Sequence, residues 1–188
     1  MPRKRRIWYP GASFHITSRG IRRSSLFLDR EDREKYLRLL AEVMVKKPFV
    51  LQTYCLMTNH IHLHIKILQH SPSDIMKLLH FNYAKYFNKK YHFSGHVFEG
   101  RFGSELITSI RYELEVNRYI HLNPIRAGIV NSLDEYPWSS YFDYMEGREG
   151  SLVDSKRILV YFPEPKIEQY LQFLYAKGKD SDQYPISI

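Results

Sequence analysis

Between positions 60 and 65 the chain reads His-Ile-His-Leu-His-Ile, a strict alternation of imidazole and aliphatic side chains. A period of two belongs to a β-strand, whose successive side chains leave opposite faces of a sheet. His60, His62 and His64 therefore share one face, and Ile61, Leu63 and Ile65 point the other way. Next-but-one neighbours on a strand stand roughly 7 Å apart, close enough for two imidazoles to share one metal ion. Imidazole suits zinc, copper, iron or nickel better than magnesium, so two histidines alone do not name the metal.

The surrounding pattern supplies the rest of a sheet. Residues 12–19, ASFHITSR, alternate as a first strand and lead into a basic loop, GIRRSS. Asp29 is placed to cap a helix over the following apolar-periodic run, which Pro48 ends. FVLQTYCLM and HIHLHIKIL are separated only by Thr58 and Asn59, which predicts a tight hairpin. Ser71-Pro72 starts a second helix. A glycine-rich stretch, HFSGHVFEGRF, precedes a short strand around Ser104 to Ile107. Ser109 then caps a third helix, IRYELEVNRYIHLN, which Pro124 stops or kinks before Gly128. The order β-α-β-β-α-β-α predicts an α+β fold: a ferredoxin-like antiparallel sheet, built as a split βαβ unit, with helices packed on it. Residues 146–188 are polar, acidic and broken by Pro163 and Pro165. They read as an extension carrying a peripheral helix and loose ends, distinct from a domain over residues 1–145.

Charge narrows the function classes. The formal net charge is +8, and residues 1–47 by themselves carry that much, while residues 131–188 are net acidic. The clusters Arg3, Lys4, Arg5, Arg6 and Arg19, Arg22, Arg23 suit a polyphosphate surface, because each neutralised phosphate releases condensed counterions. Aromatic residues make up 15% of the chain, too many for a disordered basic arm. No run approaches 18 uncharged apolar residues and no apolar h-region follows the basic start, which argues against membrane spanning and secretion. The single cysteine, Cys55, excludes an intrachain disulfide framework and a multi-cysteine zinc cage, so a reducing, cytoplasmic setting is expected.

The third predicted helix carries the remaining chemistry. Tyr119 and Asn123 lie four residues apart and share a face, with Tyr112 and Val116 continuing the stripe. An amide one turn from a phenol can complete a metal site, and Arg118 and Arg126 lie nearby to hold phosphate. Tyrosine is a weak nucleophile at its free pKa of roughly 10, so it needs a cation that stabilises the developing charge. In the glycine-rich loop, His96, Glu99 and Arg101 read as lining a nucleic-acid path, with Phe98 and Phe102 available to stack bases.

The strings RIWYPGASFHITSRGIRR, CLMTNHIHLHI, FNYAKYFNKKYHFSGHVFEGRF and RYIHLNPIRAGIV…YPWSSY, in that order over about residues 3–145, closely resemble the REP-associated tyrosine transposases. These are relatives of the single-tyrosine HUH transposases of bacterial insertion sequences. The resemblance implies that His60 and His62 are the HUH pair, that Tyr119 is the nucleophile and that Asn123 completes the metal site. It further implies a divalent ion, Mg²⁺ or Mn²⁺, with imidazole ligands favouring Mn²⁺, and no nucleotide cofactor. The expected partners are single-stranded and hairpin DNA of the REP palindrome type, in a cytoplasmic, nucleoid-associated setting. Arg3, Lys4, Arg5, Arg6, Arg19, Arg22, Arg23, Arg101 and Arg118 are the expected DNA contacts. His15, His64 and Glu99 are candidates for the shell around the metal ligands. Members of the wider family act as monomers or as dimers that exchange the tyrosine helix, and the sequence leaves that open. Two departures stand out: His64 occupies a position usually apolar, and Thr58 replaces a common proline. Two other classes fit the same residues, a hairpin-binding protein without transposition and a metal phosphoesterase in which water attacks.

Overall fold

The computed structural model describes residues 7–147 and 150–176. The basic cluster Arg3, Lys4, Arg5 and Arg6 lies outside the described residues. Four strands, β1 (Ser13–Arg19), β2 (Phe49–Leu56), β3 (His60–Ile67) and β4 (Gly103–Ile107), form one antiparallel sheet in the order β2-β3-β1-β4. This is the ferredoxin-like split βαβ arrangement, and the predicted hairpin at Thr58-Asn59 joins β2 to β3.

The helices begin where short polar side chains satisfy free backbone donors. Asp29 accepts from the Asp32 amide and Asp32 reaches back to the Asp29 amide, a reciprocal cap on α1 (Arg30–Lys46). Ser71 caps α2 (Pro72–Tyr91), whose first residue is the proline, and Ser109 caps α3 (Ile110–Arg126). Pro124 does not end α3. The helix continues to Arg126, and the turn is closed by Gly128 at φ 66°, whose amide reaches the Ile125 carbonyl.

The alternation in β3 separates the two sides of the sheet. Ile61, Leu63, Ile65 and Ile67, with Phe14 and Ile16 of β1, pack against Leu40 and Val43 of α1 and Leu79 and Tyr83 of α2 in the main core. On the histidine side, Val116, Tyr119 and Ile120 of α3 form a second, smaller cluster with Cys55, Met57, Ile107 and Tyr136. One helix therefore covers the polar face only in part, which leaves the loop-proximal end of β1 and β3 open.

The C-terminal segment departs from the peripheral helix expected of it. Beyond α4 (Tyr141–Glu146), it contains α5 (Lys156–Leu159) and α6 (Lys166–Tyr175), and Val153, Ile158, Tyr170 and Leu174 are buried in the main core. Backbone bonds from Ser140 to the Tyr54 carbonyl and from Asp154 to the Leu51 carbonyl cover the outer edge of β2. An uncovered edge strand is an aggregation hazard, so the segment protects the sheet while filling its core. Its acidic composition concealed four core side chains spaced irregularly between prolines. Among the described residues no helix is long and apolar enough to cross a membrane.

Candidate functional site

Strand register brings the site together. His60 lies opposite Arg19, His62 opposite Thr17, and His64 opposite His15 across the β1–β3 pair, so all of these side chains project on the α3 side. Tyr119 of α3 sets its ring edge-on to His62, with centroids 5.4 Å apart, and edge-on to His15 at 6.0 Å. Asn123, one turn further along α3, lies between the two imidazoles: its Oδ1 is 3.3 Å from His60 Nε2 and its Nδ2 is 3.3 Å from His62 Nε2. His60, His62, Tyr119 and Asn123 are thus assembled within one chain.

The hydrogen bonds assign the tautomers. The Asn59 amide nitrogen donates to the Arg23 carbonyl, which leaves its Oδ1 to accept from His60 Nδ1 at 2.7 Å. Neutral His60 then carries its lone pair on Nε2, facing the Asn123 oxygen. Asn123 Nδ2 donates to His62 Nε2, so His62 bears its proton on Nδ1 and donates it to His15 Nε2 at 3.0 Å. His15 in turn directs its Nδ1 toward Glu105 Oε2 at 4.0 Å, and Tyr112 donates to that same carboxylate oxygen at 2.9 Å. His15 is therefore a neighbour that orients His62. Only the His15–His62 step is a direct hydrogen bond; Glu105 stands behind it at 4.0 Å as a nearby negative charge.

Two acceptors, His60 Nε2 and Asn123 Oδ1, face each other, with the His62 lone pair alongside. A cation shared by these atoms relieves that opposition, so the residues fit a divalent ion. Among the described residues no group of three or more His, Cys, Asp or Glu side chains is placed to hold a metal. An ion here would rest on two imidazoles, one amide oxygen and oxygens supplied by a substrate, a mixed nitrogen–oxygen set that suits Mn²⁺ better than the harder Mg²⁺. Burial, reinforced by neighbouring His15, His60 and Arg19, holds His62 well below the usual histidine range, and burial also lowers His60. Both imidazoles are neutral near neutral pH. Burial raises the Tyr119 phenol, while its bond to Asn123 and the guanidinium of Arg126, 5.3 Å over the ring, draw it back.

Beside this group opens a cleft of about 130 Å³ lined by Arg19, His60, His62, His80, Phe98, Glu99, Arg101 and Phe102. The loop bearing Phe98 and Glu99 is strapped to the end of β1: the Glu99 amide donates to the Arg19 carbonyl at 2.8 Å and the Ile21 amide to the Val97 carbonyl at 2.9 Å. Arg22 and Arg23 project from the following turn in left-handed conformations, φ 52° and 61°. Gly20 opens that turn because any Cβ there would collide with the Ser24 carbonyl.

The other predicted site residues divide. Arg19, Glu99 and Arg101 line the cleft, and Glu99 belongs to its wall instead of to the imidazole set. His64 is fully buried one step further along β3, its Nε2 3.3 Å from Glu113, and it stands apart from the His60–Asn123–His62 group. Arg118 is a correction. Its side chain is buried, donates to the carbonyls of Leu174 and Ala176, and lies over the Phe173 ring, so it fastens the end of α6 and is not presented to DNA. Helical spacing carried that signal, since one step from Tyr119 turns a side chain roughly 100° away from the face shared by Val116, Tyr119 and Asn123. Asn59, His80 and Glu105 join the site without a sequence pattern that marks them. Asn59 directly precedes the histidine strand, but the other two come from α2 and β4, and only sheet pairing and helix packing bring them near.

Residues 9–123 match the family model described as "Transposase IS200 like". The chain belongs to the IS200-like transposase family. Among solved structures, it is similar to a REP-associated tyrosine transposase bound to a REP hairpin, with a TM-score of 0.66 and 20% identity, over 82% of this chain and 94% of that one. That likeness establishes the shared fold. A proposed transposase from Deinococcus radiodurans aligns at a TM-score of 0.45 and 16% identity, over 71% of this chain and 97% of that one. No curated protein matches the sequence.

Proposed function

We propose that this transposase-family protein is a divalent-metal-dependent endonuclease and strand-transferase acting on single-stranded DNA beside REP-type hairpins. The observation that carries the reading is the placement of the Tyr119 ring against His62, with Asn123 bridging His62 and His60 in the same chain. His60, His62 and Asn123 would hold the ion, with Mn²⁺ or Mg²⁺ as the candidates. When bound, such an ion polarises the scissile phosphate and stabilises negative charge on oxygen.

The chain's own groups account for the remaining steps. Arg19 and Arg101 in the cleft draw the phosphodiester backbone to the sheet face. The Tyr119 oxygen attacks phosphorus, the bond to the 3′-oxygen breaks, and a 5′-phosphotyrosine and a free 3′-OH result. The phenol's raised pKa means that its proton leaves as attack proceeds, with Asn123 and Arg126 stabilising the oxygen. Attack of another 3′-OH on the phosphotyrosine reverses these bond changes and joins strands, so no nucleotide cofactor enters. Arg22 and Arg23, exposed beside the cleft, and the cluster Arg3 to Arg6 would engage the hairpin backbone. Work on chromosomal palindromes implies a cytoplasmic, nucleoid-associated location.

Incubation with hairpin-bearing single-stranded DNA and Mn²⁺ should give a protein–DNA adduct that survives a denaturing gel. Cleavage without adduct would instead support attack by water. Hairpin binding with neither cleavage nor adduct would support a binding module of the same fold.

A further inference from the structure

We propose that the cleft beside His60 and His62 is a nucleobase pocket that reads one unpaired base next to the scissile phosphate, favouring a base that bears an exocyclic amine. The inference rests on the single-strand reading above and names a specificity site for it.

Three features point to a base instead of a phosphate alone. First, one wall is aromatic. The His80 ring stacks on Phe98 at 3.8 Å and 14°, and Phe102 meets His80 edge-on at 6.4 Å. Flat aromatic walls suit a base, whose π-face stacks on them. Second, the wall is held in place. Ser18 bonds His80 Nε2 at 2.9 Å, and the strap between residues 97–99 and the end of β1 fixes Phe98 and Glu99. Third, Glu99 is an exposed carboxylate set among Arg19 and Arg101 at a surface expected to bind phosphates. A carboxylate repels the backbone, so its presence costs affinity unless it accepts hydrogen bonds from the nucleic acid. The groups that can donate to it are base N–H groups, and an exocyclic amine such as cytosine N4 is a fitting donor. Thymine presents carbonyl oxygens on both sides of its only ring N–H and is the poorest match. Glycine at 100, φ 66°, lets the chain turn between Glu99 and Arg101 so that both border the same space.

The test measures fluorescence-anisotropy binding of the full chain to homopolymeric deoxycytidine, deoxyadenosine and thymidine oligonucleotides at fixed salt. Wild type should prefer the amine-bearing strands over thymidine by roughly ten-fold, the discrimination of a good base contact. Glu99→Ala should erase the ratio, and should do so by tightening thymidine binding, because a repulsive charge is gone. Arg101→Ala should weaken all three strands alike and leave the ratio standing. His80→Ala should weaken every strand several-fold through lost stacking, and its circular dichroism melt separates that loss from unfolding. Equal binding of the three strands by wild type, or an unchanged ratio in Glu99→Ala, overturns the base pocket while leaving the nuclease reading intact. No binding to any single strand overturns both.

Discussion

Helix α3 carries two sets of histidine, asparagine and tyrosine contacts with opposite outcomes. On one face, Asn117 and His121 enter a closed network. His121 Nδ1 meets the Tyr170 hydroxyl at 2.6 Å and its Nε2 meets Ser140 at 2.8 Å, while Asn117 donates to the Tyr144 hydroxyl at 2.7 Å and accepts from Tyr170. The Tyr144 hydroxyl donates in turn to the Gln52 carbonyl. On another face, Tyr119 and Asn123 meet His60 and His62, where lone pairs converge beside an open cleft. The residue types are the same. What differs is how the polar atoms meet: in the first set every contact pairs a donor with an acceptor in a closed core, whereas in the second two acceptors, His60 Nε2 and Asn123 Oδ1, face each other beside an open cleft.

The largest expected effect sharpens this contrast from the open side. Tyr119→Phe should lower adduct formation by roughly 10⁴-fold or more, as loss of a nucleophile does, with the melting temperature almost unmoved. Cleavage at the wild-type rate by this variant would end the tyrosine mechanism. Next comes removal of residues 146–188, which takes away Tyr170, Leu174 and Ile158 together. With each buried side chain stabilising by about 1.5–3 kcal/mol, the melting temperature should drop by roughly 10 °C or more. A truncated chain that melts like wild type would make those residues a separate extension.

Tyr170→Phe probes the closed network more finely. It leaves His121 and Asn117 each short of a partner, a loss of about 1–3 kcal/mol in denaturant unfolding, while adduct formed per folded molecule stays constant. A Tyr170 variant that folds normally but forms no adduct would mean that the two faces are not independent. Glu105→Gln should weaken Mn²⁺ binding by about ten-fold, measured by titration calorimetry, because the charge that favours a proton on His15 Nδ1, and so keeps His15 Nε2 as the acceptor for His62, is gone. The smallest effect concerns pH. Burial lowers His80 to about 4 from an ordinary value of 6.5. The unfolded chain therefore takes up this proton first, so the stability contributed by neutral His80 is full above pH 6.5 and falls as pH drops toward 4. Since the ring is only partly buried, the loss is about 1–2 kcal/mol, and His80→Gln should flatten that part of the melting-temperature profile.

Much of this was readable from residue order. The alternation in β3 predicts both faces of the sheet, the caps at Asp29, Ser71 and Ser109 mark three helix starts, and the four-residue spacing of Tyr119 and Asn123 puts them on one face. These signals are local, since each arises within one turn of helix or one step of strand. Charge alone carries no direction: at one residue from Tyr119, Arg118 turns toward α6 and is consumed by the Leu174 and Ala176 carbonyls. The buried side chains of the C-terminal segment are dispersed among acidic residues, so their burial depends on the surface they meet and not on a local pattern.

The sequence by itself determined the period of each element, the pairing of two histidines on one face and the helix that carries the phenol and the amide. Tertiary structure alone decided that Asn123 lies between His60 and His62, that Glu105 stands behind His15, and that His80, Phe98 and Glu99 border one cleft. The reason is range. Helical and strand periodicity act over a few residues, whereas the site joins groups from β1, β3, α2, α3 and the loop before β4, and only the packed sheet brings them to one place.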